Sequence, residues 1–447
     1  MRPRTTIFLL ILFIVLSVLV YFLEFKTEQK EKEEKLIELS SDKITKISFQ
    51  KKDEPLVFER DKNNEWKITS PLQVKADQYE VNRLAEDFSV LKIERVVEEN
   101  PRNLASYQIP SQEITLWSKE KPQPIVLQIG MVNPLDQTLY AKRKDEKRVV
   151  LIPSHLKTII DKSLFDFREK EIFEFDKEDI GKIAVQGKDF SWLAVKRRNE
   201  EWFFETPVKS LIKKGKIDDL LYTLSNLRAK KFISEQKTAE EIKKHGLSEP
   251  DFKITLTLPL ENKEFSFLLN KQNDTFYVTT TLSPKIITAD DFILTDLNKR
   301  PEELREKNIA VFYSFEVKKL KLKKEGKEFL LEKDKEDNWN FIQPKKSKAD
   351  NGKIENFIRK IEGLETKEFI DPPFEIRQYG LDKPQGEVTI WTEEDNKLRK
   401  TTLLIGSENK EKKQVFIKDV RLPYVFLVDS PFLEEFPKEI KDWKEES

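Results

Sequence analysis

The stretch NEWKITSP, residues Asn64–Pro71, sets a tryptophan five residues before a proline, and the pattern returns as EEWFFETP (Glu200–Pro207) and DNWNFIQP (Asp337–Pro344). Trp66, Trp202 and Trp339 lie 136 and 137 residues apart, and their surroundings recur with them. An apolar run follows each one: Val81, Leu84, Ala85, Phe88, Leu91; then Ile217, Leu220, Leu221, Leu224, Leu227; then Ile354, Phe357, Ile358, Ile361, Leu364. All three runs have the spacing of one face of an α-helix, and each begins 15 residues after its tryptophan.

Further markers keep the same order. YQIP begins at Tyr107, HGLSEP at His245 and YGLDKP at Tyr379, and each precedes a strand pattern: EITLWS, FKITLTL and EVTIWT. IVLQIG, FSFLLN and TTLLIG come next, aligning Gly130 and Gly406 with Asn270. Glycine and asparagine tolerate positive φ, so this position predicts a turn. QTLYAK, DTFYVT and QVFIKD follow, then RVVLIP, KIITAD and YVFLVD.

Two strand patterns precede each tryptophan, as in ITKISFQ and LVFERD. The tryptophan opens a third strand, where its ring covers the end of a small core. The proline, lacking an N–H for the ladder, ends that strand. Stacking on a ligand is the other reading of the tryptophans. A short helix such as SHLKTII or PFLEEF closes the unit. The expected fold is α+β, with three tandem repeats of a β-β-β-α-β-β-β-β unit, an antiparallel sheet curled around one helix. The units span 42–168, 178–300 and 314–437. A length of 447 residues suits about three domains of roughly 150 each.

Composition narrows the function. The 81 basic and 81 acidic residues cancel, and without a basic excess the chain has no electrostatic footprint for nucleic acid. Cysteine is absent, which excludes disulfides and thiolate metal sites, and His155 and His245 are the only histidines. The density of Lys and Glu suits a protein from a hot habitat.

The chain opens MRPRTTIFLLILFIVLSVLVYFLEF, uncharged from Ile7 to Leu23. That length suits a helix spanning the hydrocarbon core, and the bulky VYFLEFK offers no small-residue cleavage site. Residues 1–25 therefore read as an uncleaved N-terminal transmembrane anchor and 26–41 as a charged stalk. Arg2 and Arg4 before the span place the body outside the cytoplasmic membrane, although Lys26, Lys30, Lys32 and Lys35 after it pull the other way.

With these repeated motifs in view, the chain resembles the domain of unknown function 4340 family over Asp42 to Phe436. Tyr379, Gly380, Leu381, Pro384 and Gly406 match best, whereas the middle unit departs with His245 and Asn270. The resemblance implies a bacterial envelope protein with an N-terminal hydrophobic segment, of a kind that accompanies gliding-motility-type ABC transporter components. It brings no catalytic residues with it.

The sequence contains no phosphate-binding lysine loop, nucleophile elbow or zinc-protease motif. His245 reads as an aromatic substitute for tyrosine, and His155 as a surface residue at the start of a short helix. Asp218–Asp219 and Asp290–Asp291 read as acidic pairs at helix starts. NGKIENF and KGKIDDL read as helix N-termini. No catalytic, cofactor or metal site is expected, and no cofactor. The expected function is a non-enzymatic, membrane-anchored extracytoplasmic scaffold or adaptor, with envelope or ABC-transporter proteins as partners. A lipid- or small-ligand-binding envelope module and an envelope hydrolase are the alternatives.

Overall fold

The computed structural model describes residues 12–18, 20, 34–50, 55–197, 200–394 and 397–444. Three nine-stranded antiparallel sheets follow one another along the chain, with few helices, so the protein is a mostly β, α+β molecule of three tandem units. It divides into two compact bodies: Met1–Lys170, with the first sheet, and Glu171–Ser447, with the second and third.

Each unit starts in the middle of its sheet. In the first, Ile44–Gln50 lies between Leu56–Arg60 and Gln112–Ser118. Hairpins step outward through Trp66–Ser70 to the edge strand Val74–Lys75. Helix α1 (Gln78–Ser89) then takes the chain to the opposite edge, where Arg95–Glu98 pairs with the last strand, Val149–Ile152. Lys121–Val132 and Leu139–Arg143 fill the remaining places. The second and third units repeat this order around α2 (Lys216–Ser225) and α3 (Asn351–Glu362).

The expected β-β-β-α-β-β-β-β unit lacked two strands. Val74–Lys75, Ser210–Leu211 and Ser347–Lys348 are two residues long, too short for any periodicity to register. Arg95–Glu98, Lys231–Ser234 and Glu368–Ile370 are three or four residues long with no fully buried position, so the apolar face that betrays a strand is missing.

The charged stalk also ends earlier than residue 41. Lys35–Glu38 forms a strand paired with Val90–Lys92, and Leu36 and Ile37 are buried in the first core. Asn308 likewise forms a bridge with Glu365, and Glu171 with Arg228, so every unit opens with a segment pinned behind its helix. Of the anchor at 1–25, residues 12–18 are helical and exposed, and most of the rest lies outside the described residues. Among the described residues no helix is long and apolar enough to cross a membrane.

Strand alternation and one helix face build each core. In Val317–Lys324 the side chains of Val317, Leu320 and Leu322 point in while the intervening lysines stay at the surface. The inward residues of α1 are those at the predicted spacing, Val81, Leu84, Ala85 and Phe88. Burying each large apolar side chain contributes roughly 1.5–3 kcal/mol. Asp77 caps α1 and Asp350 caps α3, each carboxylate accepting a backbone N–H of the first turn. In the second unit Lys213 stands at that position, and the helix starts later, behind Gly215 at φ +83°. That left-handed conformation favours glycine.

Candidate interaction sites

The tryptophans belong to the cores. Trp66, Trp202 and Trp339 are 0, 6 and 1% exposed, and each sits directly across the ladder from a basic residue: Arg60, Lys196 and Lys333. The Arg60 guanidinium lies 4.2 Å from the Trp66 ring centre and the Lys333 ammonium 5.5 Å from that of Trp339, so a cation covers the outer face of the indole. The Trp66 indole N–H donates to Asn82 Oδ1 at 2.9 Å, and that of Trp202 to Asp218 Oδ1 at 3.3 Å. The corresponding N–H of Trp339 has no hydrogen-bond partner. Ligand stacking is excluded by burial. Each strand ends immediately before its proline, as the sequence implied, and the peptide bonds preceding Pro71, Pro207 and Pro344 are all cis.

Gly130 and Gly406 are not turn residues. Both lie inside long strands, and the positive φ of this region sits instead in the marker, at Gln108, Gly246 and Gly380. What the strand position requires is close approach. A Cβ on Gly130 would fall 2.2 Å from the Tyr107 carbonyl oxygen, and one on Gly406 would fall 2.1 Å from that of Tyr379. In the second unit Asn270 fills the space and its Nδ2 donates to the His245 carbonyl at 3.0 Å. An aromatic contact is common to all three: Tyr107 with Tyr140, His245 with Tyr277 and Tyr379 with Phe416, at 5.0, 4.4 and 4.8 Å between centres.

The titratable candidates have separate settings. His245 is 8% exposed and packs at a tilt against Tyr277, with Nε2 3.2 Å from Glu241 Oε2. His155 sits at the surface before the helix Leu156–Ile160, with Nε2 4.0 Å from Asp87 Oδ1. Asp218 and Asp219 occupy the first turn of α2. Asp290 and Asp291 precede the short helix Leu294–Leu297 and pair with Lys230 and Lys271, so ion pairing accounts for them as much as the helix does. Asn351 begins α3, whereas Lys214 lies two residues before α2. Burial pushes the Lys418 ammonium below its ordinary pKa, and the group donates to the carbonyls of Leu422 and Tyr424. Among the described residues no cluster of three His, Asp or Glu side chains could hold a metal ion.

Two features went unread in the sequence. The first is a pair of equivalent open grooves where the first hairpin of a unit, the proline after the tryptophan strand and the C-terminal segment meet. One, of about 560 Å³, is lined by Lys188, Phe190, Pro207, Arg300 and Glu302. The other, of about 660 Å³, is lined by Lys327, Phe329, Pro344, Lys438 and Glu439. Each is rimmed by charges of both signs, over Phe190, which is partly buried, in one and the buried Phe329 in the other.

The second is the junction of the second and third units. Arg305 is 3% exposed, and its guanidinium grips Asp371 with two bonds of 2.7 and 2.8 Å. Its Nε donates to Ser210 Oγ at 2.8 Å, and the rings of Phe369 and Tyr424 lie 3.7 and 4.8 Å away. Burial pushes the Tyr424 hydroxyl above its ordinary pKa. The repeated triplet Arg168-Glu-Lys and Arg305-Glu-Lys, present in both linkers, was the available signal.

Fold and sites define a tandem-repeat protein whose repeated geometry lies in packing and whose surface offers the same groove more than once. The chain belongs to the family described as Domain of unknown function (DUF4340), matched over residues 66–238, 202–376 and 371–447. Two of these segments begin at a repeated tryptophan, Trp66 and Trp202, so the family's frame starts within a sheet and runs past the helix of the next unit. No curated protein matches the chain. Among solved structures it is similar to a DNA polymerase sliding clamp from Pseudomonas aeruginosa, at 7% identity and a TM-score of 0.19 over 88% of this chain and 93% of that one. The DNA polymerase III subunit beta of the same organism matches at 7% and 0.18, over 87% and 92%. Scores so low carry no argument about fold or function.

Proposed function

We propose that the protein is a non-enzymatic scaffold or adaptor, held in the cytoplasmic membrane by residues 1–25 with its body outside, where it gathers envelope or transporter proteins. The observation that carries this reading is the repetition of one surface geometry: two grooves of the same construction, beside Pro207 and Pro344. Triplication multiplies a surface, whereas catalysis needs a single constellation of tuned groups. Partnership with a gliding-motility-type ABC transporter follows from family resemblance and remains part of the proposal. The lipid- or ligand-binding alternative calls for an apolar cavity inside a unit. The three cores are instead occupied by side chains such as Phe49, Phe58, Phe204, Phe267, Phe341 and Phe357.

The test is photo-crosslinking in cells from the exposed groove positions Lys188 and Lys327 in the full chain. Both should crosslink to membrane or envelope proteins, and a competitor occupying one groove should leave the other reactive. Silence at both positions, with esterase, phosphatase, peptidase or glycosidase activity in the purified protein, would overturn the scaffold.

A further inference from the structure

The third unit differs from the other two at three surface positions just before its first strand. Glu174, Asp176 and Glu178 of the second unit are exposed acids. By alignment of the linkers and of the short turns Ser41–Lys43, Lys177–Asp179 and Ser314–Glu316, the first unit has Glu38, Ser40 and Asp42 there. The third has Val311, Tyr313 and Phe315, which are 41, 49 and 72% exposed. The rings of Tyr313 and Phe315 stack at 5.5 Å and 19°, so the pair presents its two rings together. The Lys214 ammonium lies 5.7 Å from the Tyr313 ring centre. Lys213 and Lys214 are both exposed at the positions where the first and third units carry Asp77 and Gln78 or Asp350 and Asn351. Acidic or polar side chains have thus given way to aromatic and apolar ones in one unit, while two positions just before the adjoining helix of its neighbour hold lysines, ahead of the first-turn acids Asp218 and Asp219.

We infer that Val311, Tyr313 and Phe315, with Lys213 and Lys214, form a contact for an anionic lipid surface. Aromatic rings beside lysines suit the headgroup level, where the ring enters the acyl boundary and the ammonium meets a lipid phosphate. Size argues for the same occupant. Three side chains expose far less than the ~800 Å² per partner of a standard protein interface, whereas shallow insertion into lipid needs no such area. The acids at the matching positions of the other units would be repelled by that surface, which leaves the contact to the third unit alone. The inference rests on the membrane attachment proposed above.

The natural absence of cysteine makes the test clean. A nitroxide is attached to Phe315→Cys, or to Glu178→Cys as the control, in the full chain reconstituted into phosphatidylcholine vesicles with and without phosphatidylglycerol. The label at 315 should become accessible to oxygen and shielded from a water-soluble nickel complex when phosphatidylglycerol is present. The label at 178 should stay aqueous throughout. Adding Val311→Glu and Tyr313→Asp, which copy residues the second unit already carries, should return the label at 315 to water. Lys214→Glu should remove the dependence on phosphatidylglycerol. A chain that floats with its vesicles while the label at 315 stays aqueous overturns this inference alone, and one that does not float overturns the anchor as well. A label immobilised by spin–spin broadening that vanishes on dilution with unlabelled chain would assign the patch to a second copy and overturn the lipid contact.

Discussion

In the first and third units a tyrosine carbonyl rests against a bare glycine, Tyr107 on Gly130 and Tyr379 on Gly406, whereas in the second the His245 carbonyl receives a hydrogen bond from Asn270. The aromatic contact beneath is kept in all three, and so is the order of strands. The marker and the long strand must meet at one distance, and either a missing side chain or a hydrogen-bonding one satisfies that need. The second unit departs elsewhere too: it lacks the aspartate cap of its helix and carries Arg197 where its neighbours have the turn aspartates Asp61 and Asp334. Sheet topology survives because the core face is common to all units, while polar contacts at the ends are free to differ.

The largest effects should come from what the units share. Trp66→Ala or Trp339→Ala should cost about 3–5 kcal/mol, the usual range for removing a buried large aromatic, read by urea unfolding with hydrogen exchange to locate the loss. Phenylalanine sharpens the comparison. Trp66→Phe forfeits the bond to Asn82, while Trp339→Phe forfeits none, so the first should be the more destabilising. Equal costs would show that the indole N–H contributes nothing.

Arg305→Ala should cost about 2–3 kcal/mol, because it removes a buried guanidinium from a partly buried ion pair with Asp371 and from Ser210. The second and third units should then exchange amide protons independently. Next come the marker contacts. Gly406→Ala should cost about 1–3 kcal/mol by forcing the Tyr379 carbonyl away, and Asn270→Gly about 1 kcal/mol by leaving a carbonyl without its donor. If Gly406→Ala were neutral, the close approach would not be what selects glycine there.

The smallest effect is a pH dependence. A hydrogen bond from Lys67 and two from the backbone hold Asp61 below the ordinary carboxylate pKa, and backbone N–H groups do the same for Asp334. A carboxyl with a depressed folded pKa stabilises the fold above its unfolded value of 3.8 and loses that contribution as pH falls through the folded one. Stability of the first and third units should therefore decline below about pH 4, and Asp334→Asn should make the decline of the third shallower, with Asp337, Glu328 and Asp442 contributing the rest. The same turn in the second unit, with Arg197, should show no such component.

The triplication, the helix faces and the burial of the tryptophans were legible because each is written in the spacing of large apolar residues. Val74–Lys75 and Arg95–Glu98 were not, since short edge strands bury too little to leave a period. Leu36 and Ile37 are hidden by the charges around them and read in the sequence as stalk, although both are buried. Gly130 is ambiguous in the sequence because glycine has two uses, positive φ and close approach, and only the partner backbone distinguishes them. The grooves and the Arg305 junction join residues far apart in sequence, as with Arg305 and Ser210, so no local pattern announces them.

The central claim is that the protein works by holding partners at the membrane. Its most direct test replaces residues 1–25 with a cleavable signal sequence and asks whether the released body complements a deletion strain. A scaffold should fail when freed, although folded and present in the same compartment, and a heterologous membrane anchor should restore it. Full complementation by the released body, together with loss of function in His155→Ala or His245→Ala, would contradict the account.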